Sequence, residues 1–332
     1  FMESSPYYFQ PASEYRKFNF MDWDRDIYWS PQQESGSGTL ANGEGITDEA
    51  GHLDVTQTLG LDKDKVSRNV TFSANVTDVS GNVVSGSASV TVHQSEYYAG
   101  VRSVSYVGKQ GEETPFEVVV LDWDSNPVSN QKVSIKFVER RWFSAQTQDK
   151  QGTLRWETSV KEIPVTTVNA VTGEDGKAIV SFVPPKGGVY KAIVTVRDTK
   201  GHTNQASAYT WISSEEYVAW RQTNDRAFNL IADKDTYSPG DTAEILIAQP
   251  FTHAVYALVT YERGHVYKQD VVLLNDNSAT YKLPITAEMA PISYVTVTVI
   301  SGAEAERTPD FKIGMASIKV DTSHQELDVK VT

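Results

Sequence analysis

The sequence predicts an all-β chain of tandem antiparallel immunoglobulin-like β-sandwiches, and three observations predict it. Period-two alternation recurs over short runs, the mark of a strand with one face on a core and one in water. Turn-forming residues interrupt those runs every ~8–12 residues, the spacing of sandwich strands. No long stretch carries an apolar stripe at helical spacing; the nearest, 214–221, is short and reads as a linker turn.

Along 71–77 the apolar set is Phe72, Ala74 and Val76. Along 190–196 it is Tyr190, Ala192, Val194 and Val196, and along 295–299 Val295, Val297 and Val299 alternate with threonines. β-Branched residues dominate because they pack well on a pleated surface and lose rotamer freedom in helices. Turn chemistry follows in order: Ser80-Gly81-Asn82, Ser125-Asn126-Pro127, Lys200-Gly201-His202 and Ser238-Pro239-Gly240-Asp241. The Cys…Trp…Cys spacing of true immunoglobulin domains is missing, so the expectation stops at immunoglobulin-like.

Composition bounds the function. The 332 residues are 39% hydrophobic and 11% aromatic, ample for packed cores and long enough for two or three domains. Thirty basic against 43 acidic side chains leave a net charge of −13, which argues against binding nucleic acid. No apolar run approaches the ~18–20 residues of a membrane span, so no direct membrane insertion is expected. Phe1, Met2 and Glu3 open the chain without the charged and apolar regions of a signal peptide. Zero cysteines exclude disulfides, thiol nucleophiles and cysteine zinc sites.

An internal repeat organises the chain. Residues 46–53, a strand through Val76, Asp78 and Gly81, and Glu96-Tyr97 recur in order as 171–178, Val196, Asp198 and Gly201, and Glu216-Tyr217. The offset is 125 from Gly51 to Gly176 and 120 from Gly81 to Gly201, a five-residue loop difference. The repeat places the start of the first copy some 24 residues ahead of Phe1, which predicts a first domain short of about two strands in a piece of a longer protein. Expected boundaries are 1–98, 99–218 and 219–320, with 321–332 as the first strand of a further domain, where Leu327, Val329 and Val331 alternate.

A family resemblance enters with the third segment. Tyr237, Pro239, Gly240 and Asp241 in the turn of 233–243, then Pro250-Phe251, the strand ending Tyr261-Glu262-Arg263-Gly264 and the run Thr308-Pro309-Asp310-Phe311-Lys312-Ile313-Gly314 resemble the bait-region domain of bacterial alpha-2-macroglobulins. Upstream, Asp122-Trp123-Asp124-Ser125-Asn126-Pro127 and Arg141-Trp142 are similar to the macroglobulin-like domain that precedes it. The resemblance implies macroglobulin-like domains of a large, non-enzymatic protease inhibitor. A target protease cuts an exposed bait segment, the molecule rearranges, and in most members a thioester captures the protease. That thioester needs a cysteine, which this chain lacks. The resemblance also implies target proteases and neighbouring domains of the parent chain as partners, no cofactor, and a periplasmic or cell-surface location, often lipid-anchored.

By position the bait segment falls between the strand 295–300 and Phe311, at Ser301, Gly302, Ala303, Glu304, Ala305, Glu306, Arg307, Thr308 and Pro309. Small and charged residues, no aromatic and one arginine suit a cuttable loop. The alternative is an ordinary interstrand loop.

Little else in the sequence carries chemistry. The histidines His52, His93, His202, His253, His265 and His324 are scattered; only His253 and His265 lie near each other, with adjacent strands expected for them. No zinc-ligand spacing, nucleophile elbow or phosphate-binding glycine pattern appears. Asp22, Asp24 and Asp26 are weak calcium candidates: they resemble the start of an EF-hand loop, but Ile27 and Gln33 stand where its glycine and glutamate belong. Asp62 with Asp64 and Asp122 with Asp124 look similar, and acidic turn residues paired to a basic neighbour are the plainer reading. Tyr7-Tyr8, Tyr97-Tyr98 and Trp142 with Trp156 would suit a carbohydrate platform, or simply packing. Two rivals follow: a surface adhesin or stalk of tandem repeats, and the accessory sandwich of a polysaccharide enzyme.

Overall fold

Alternating runs form strands here because each has an apolar face that only a second layer can cover. The computed structural model describes residues 1–23, 38–59, 66–148, 152, 154–302 and 309–325. The first unit contains β1 (Met2–Pro6), β2 (Gly38–Ala41), β3 (Arg68–Thr77) and β4 (Val83–Val92) in one sheet of order β2-β1-β3-β4.

In the second unit, β5 (Tyr97–Ser103), β6 (Val107–Lys109), β7 (Thr114–Asp122), β8 (Lys132–Gln148), β9 (Leu154–Val171), β10 (Lys177–Phe182), β11 (Gly188–Arg197) and β12 (Thr203–Ser213) make two sheets, β10-β7-β5 and β6-β12-β11-β8-β9. Every pairing is antiparallel except β6 with β12. The third has β13 (Asn229–Ala232), β14 (Thr242–Ala248), β15 (Val255–Glu262), β16 (Val266–Leu274), β17 (Ala279–Pro284), β18 (Ile292–Ser301) and β19 (Asp310–Lys319), in sheets β13-β14-β17 and β16-β15-β18-β19.

One turn recurs where the sequence repeats. At Asp48, Asp78, Asp122 and Asp198 the carboxylate Oδ1 accepts two backbone N–H bonds, from the residues two and four positions on. The fourth residue of each turn is left-handed: Gly51 at φ 83°, Gly81 at 84°, Ser125 at 68° and Gly201 at 91°. Aspartate closes the turn from its side chain while glycine accepts the backbone conformation at no steric cost. Asp122 is therefore a turn residue, the plainer of the readings for the Asp122–Asp124 pair.

Between the second unit's sheets lies a core of Phe116, Ile135, Phe137, Phe182, Tyr190 and Val194. Ile245, Ala257, Val259, Val295, Val297 and Ile318 fill the third. The first unit departs from the expected sandwich: among the described residues it is a single layer, and Val76, Val84 and Val90 on it are 56%, 71% and 59% exposed.

Residues 7–23 also leave the first unit and wrap the second. Phe9, Tyr15, Phe18 and Phe20 pack on Val119 and Leu121, outside the β10-β7-β5 sheet. Gly100 is required beneath them, since a Cβ there would stand 2.7 Å from the Phe20 ring. An antiparallel bridge of Asn19 to Val101 carries the strap over the sandwich edge. On the far face Ser207 N–H donates to the Met21 carbonyl and the Tyr209 hydroxyl to that of Trp23.

Candidate functional site

The candidate bait segment connects the last two strands of the third unit. β18 and β19 pair in unbroken antiparallel register from Ile292↔Lys319 to Ser301↔Asp310, leaving 302–309 as the connection. Ser301 is buried, and its hydroxyl lies 3.0 Å from His253 Nε2. Gly302, Pro309 and Asp310 are exposed. Ala303, Glu304, Ala305, Glu306, Arg307 and Thr308 fall outside the described residues.

The strand leaving that connection is held on both edges. Opposite β18, Ala227 forms a parallel bridge with Ile313. Ile313 N–H donates to the Arg226 carbonyl at 2.7 Å, and Phe228 N–H to the Ile313 carbonyl at 3.1 Å. Lys312 Nζ donates to the Asp225 carbonyl at 2.5 Å, and the Arg226 guanidinium stands 4.4 Å from the Phe311 ring centre. Gly314 permits this approach, because a Cβ there would lie 2.7 Å from Leu230 and 3.0 Å from the Phe228 ring.

The same segment is fastened to the second unit. β8 pairs with β11 only as far as Arg140, while the β8–β9 ribbon runs on to Gln148↔Leu154. Its extension meets the linker. Trp156 N–H donates to Asn224 Oδ1, Asn224 Nδ2 donates back to the Trp156 carbonyl at 3.0 Å, and Thr158 Oγ1 donates to the Gln222 carbonyl at 2.9 Å.

Behind it, Ser214, Val218 and Trp220 are buried, while Glu215, Glu216, Tyr217 and Ala219 between them face outward. Asn277 accepts from Val218 N–H and donates to the Val218 carbonyl, while Trp220 Nε1 donates to the Asn277 carbonyl at 2.6 Å. Val189, Tyr209, Trp211, Val218, Trp220, Ile231, Leu246 and Ala248 form one apolar cluster across the joint.

Among the described residues, the buried charged groups Arg140, Lys191 and Asp198 have partners. Asp22 pairs with Lys191 at 2.7 Å, and Glu162 lies 3.1 Å from buried Arg140 and 3.8 Å from Lys191. Asp24 and Asp26, like Asp62 and Asp64, lie outside the described residues. No group of three or more His, Asp or Glu gathers among the described residues. Burial tends to raise the Asp198 carboxyl, but hydrogen bonds from the Glu96 and His202 N–H groups and the His202 ring outweigh it and hold the group below the usual carboxylate range. His93 is lowered chiefly by burial; its Nδ1 sits 2.8 Å from the Tyr98 hydroxyl, which burial pushes up to about 12.

His253 and His265 do not lie on adjacent strands. They stand at opposite ends of β15, before Val255 and after Glu262, because the β15–β16 turn takes up 263–265. Tyr98 and Trp142 are buried, Tyr7, Tyr97 and Trp156 are half-buried, and Tyr8 is the exposed one of the six aromatics singled out in the sequence. Sequence reasoning missed Asn277 as the partner of the joint, and the strap; the clustered aromatics Phe9, Tyr15, Phe18 and Phe20 were the available signal for the latter.

Known proteins resemble the chain in two blocks. Residues 228–332 match the family described as Alpha-2-macroglobulin bait region domain, and 100–211 match Bacterial macroglobulin domain 6. An alpha-2-macroglobulin homolog of Nostoc sp. is 23% identical over 265 residues, covering 77% of this chain and 14% of the relative. The alpha-2-macroglobulin of Rickettsia conorii is 25% identical over 244 residues, covering 71% of this chain and 12% of the relative. The chain thus spans about one seventh of the length of the curated relatives it matches. Among solved structures, the native conformation of E. coli alpha-2-macroglobulin aligns at 17% identity and TM-score 0.40, covering 98% of this chain and 21% of that one.

Proposed function

We propose, on the premise that this chain belongs to the alpha-2-macroglobulin family, that it is the bait-bearing, non-catalytic part of a broad-spectrum protease inhibitor. The observation that carries the reading is the placement of 302–309: it joins two fully paired strands at one end of the unit matched by the bait region domain. A protease needs an extended substrate of some length, and such a connection can offer one without unfolding the sandwich.

A cut there leaves β19 on the far side of the break. β19 grips 225–228, which continue into the linker that Trp156 and Thr158 hold against the β8–β9 ribbon. Cleavage thereby acts on the seating of the third unit against the second, the restraint whose release lets the larger molecule rearrange. The partners are target proteases, the location is extracytoplasmic, and this chain, which has no cysteine, carries no thiol chemistry of capture itself. Both family matches favour this reading over a stalk of interchangeable repeats.

The test is a panel of proteases of different specificity at low ratio to the chain, with the first cut located by mass spectrometry. First cuts converging on 301–309 support the reading; first cuts scattered over other loops, with 301–309 intact, refute it.

A further inference from the structure

We propose that β4 is the docking edge for a second copy of this chain. Two β4 strands pair antiparallel about a two-fold axis at Ser87, joining two four-stranded sheets edge to edge. The inference is independent of the loop reading above.

β4 lies at the edge of the β2-β1-β3-β4 sheet, and its residues from Val83 to Val90 are exposed. Its pairing with β3 leaves one row of backbone groups unused. Toward β1, Ser73 N–H donates to the Phe1 carbonyl at 2.8 Å and Tyr7 N–H to the Ser67 carbonyl at 2.7 Å. The odd-numbered residues of β3 therefore turn their backbone groups to β1, and the even-numbered ones turn theirs to β4. In the β3–β4 register the hydrogen-bonded pairs are then Phe72↔Ala88, Ala74↔Gly86 and Val76↔Val84. Ser85, Ser87 and Ser89 point their N–H and carbonyl groups out from the edge, and among the described residues no hydrogen bond reaches those groups. The matching edge of the second unit is taken. Ser207, 120 residues on from Ser87, donates its N–H to the Met21 carbonyl, and its own carbonyl accepts from Asn19 Nδ2 at 2.7 Å.

Edges are commonly blunted by charge, proline or a bulge, because an unguarded one is a template for another strand. No charged residue, histidine or proline occurs from Val79 to Val92, and the β3–β4 register runs unbroken from Arg68↔Val92 to Thr77↔Val83. Every other described edge strand longer than four residues carries a guard: Arg102 in β5, Pro164 in β9, Lys177 in β10, Lys268 in β16, Lys282 in β17 and Lys312 in β19.

The sequence of β4 selects the occupant. Around Ser87 the strand reads alike in both directions: Gly86 balances Ala88, Ser85 balances Ser89, Val84 balances Val90, and Val83 balances its isostere Thr91. In an antiparallel pair about a two-fold axis each residue meets its mirror position. Ser87 faces its own copy, Ser85 of one chain faces Ser89 of the other, and Val84 faces Val90. Odd residues meet odd residues, so the two outward rows of N–H and carbonyl groups close a ladder. Like meets like on both faces, serines on the polar side and β-branched valines on the apolar side. The serine side is already ordered, since Ser89 bonds Thr71 and Ser85 donates to Asn75. A net charge of −13 opposes the approach of two copies, and β4 is the long edge that brings no like charges face to face. Pairing with an unrelated strand would ask for no such symmetry.

The test uses the 1–332 chain, in which an introduced cysteine is the sole thiol. Facing residues of a hydrogen-bonded antiparallel pair stand ~5.5 Å apart at Cα, within reach of a disulfide. The two copies of residue 85 would stand ~14 Å apart, so Ser87→Cys should cross-link under mild oxidation at least ~10-fold faster than Ser85→Cys. Sedimentation over a wide concentration range should show a reversible monomer–dimer equilibrium, with amide exchange of 83–91 slowing as the dimer forms. Ser87→Lys and Ser87→Glu should each abolish the dimer, and mixing the two in equal amounts should restore it, because the two-fold axis sets the opposite charges face to face. A chain that stays monomeric throughout, with Ser87→Cys and Ser85→Cys linking equally slowly, would overturn the inference. So would a dimer that survives Ser87→Lys with exchange at 83–91 unchanged, which would put the interface elsewhere.

Discussion

Replacing Trp220 tests whether the second and third units form one mechanical body. The indole is 5% exposed, packs in the cluster that spans the joint, and donates from Nε1 to the Asn277 carbonyl at 2.6 Å. Trp220→Ala removes a large buried aromatic, which costs about 3–5 kcal/mol where the site cannot collapse. The stranded Asn277 carbonyl adds about 1 kcal/mol or more. Trp220→Phe keeps most of the apolar area and loses the donor, so about 1–2 kcal/mol is expected. Urea unfolding followed in parallel by near-UV dichroism and by pulsed hydrogen exchange reads the outcome. The unmodified chain should lose the cores around Phe137 and Val297 together, and Trp220→Ala should split them into two transitions. A Trp220→Ala chain within about 1 kcal/mol of the unmodified protein, with the cores still unfolding together, would refute a rigid joint.

Three further outcomes follow from single contacts. Asp198→Asn should cost about 1–3 kcal/mol at neutral pH. Because the folded carboxyl is held low, that advantage is present above the unfolded value of about 4 and fades as pH falls through the folded one, so chemical-denaturation curves of the two proteins should converge in acid. Asp22→Asn should remove the carboxylate 2.7 Å from buried Lys191, whose other acidic neighbour among the described residues is Glu162 at 3.8 Å, costing about 1–2 kcal/mol after allowance for the partly open Asp22, and hydrogen exchange should rise across 19–23. Gly100→Ala should drive a methyl into the Phe20 ring and Val119, cost about 1–3 kcal/mol in thermal melts and raise proteolysis at the strap.

What was legible in the sequence was local. Alternation marks strands because each residue's face is set by its own position, so the runs through Val76, Val194 and Val297 read directly. The Asp-and-glycine turns read because the aspartate satisfies its own turn and the glycine accepts a positive φ. The repeat was legible too, and the structure carries it in the matching turns at Asp78 and Asp198.

What was not legible depends on partners far along the chain. Phe9, Tyr15, Phe18 and Phe20 show no period, since the strap that carries them is neither helix nor strand and its surface is Val119 and Leu121. Residues 214–221 read as a linker because nothing local announces that Asn277 will pair with Val218. His253 and His265 were misjudged because their separation fits adjacent strands as well as the two ends of one strand. The site shows the same division: the base of the 302–309 connection follows from pattern, while the grip of 225–228 on β19 depends on contacts that span more than 80 residues.

The most direct test of the account is hydrogen exchange before and after a protease cut within 301–309, read at 222–228 and at 154–158. The account predicts faster exchange in both segments once the connection is broken, with the paired core of β18 and β19 still protected. A cut at that place that leaves both segments as protected as before would contradict it.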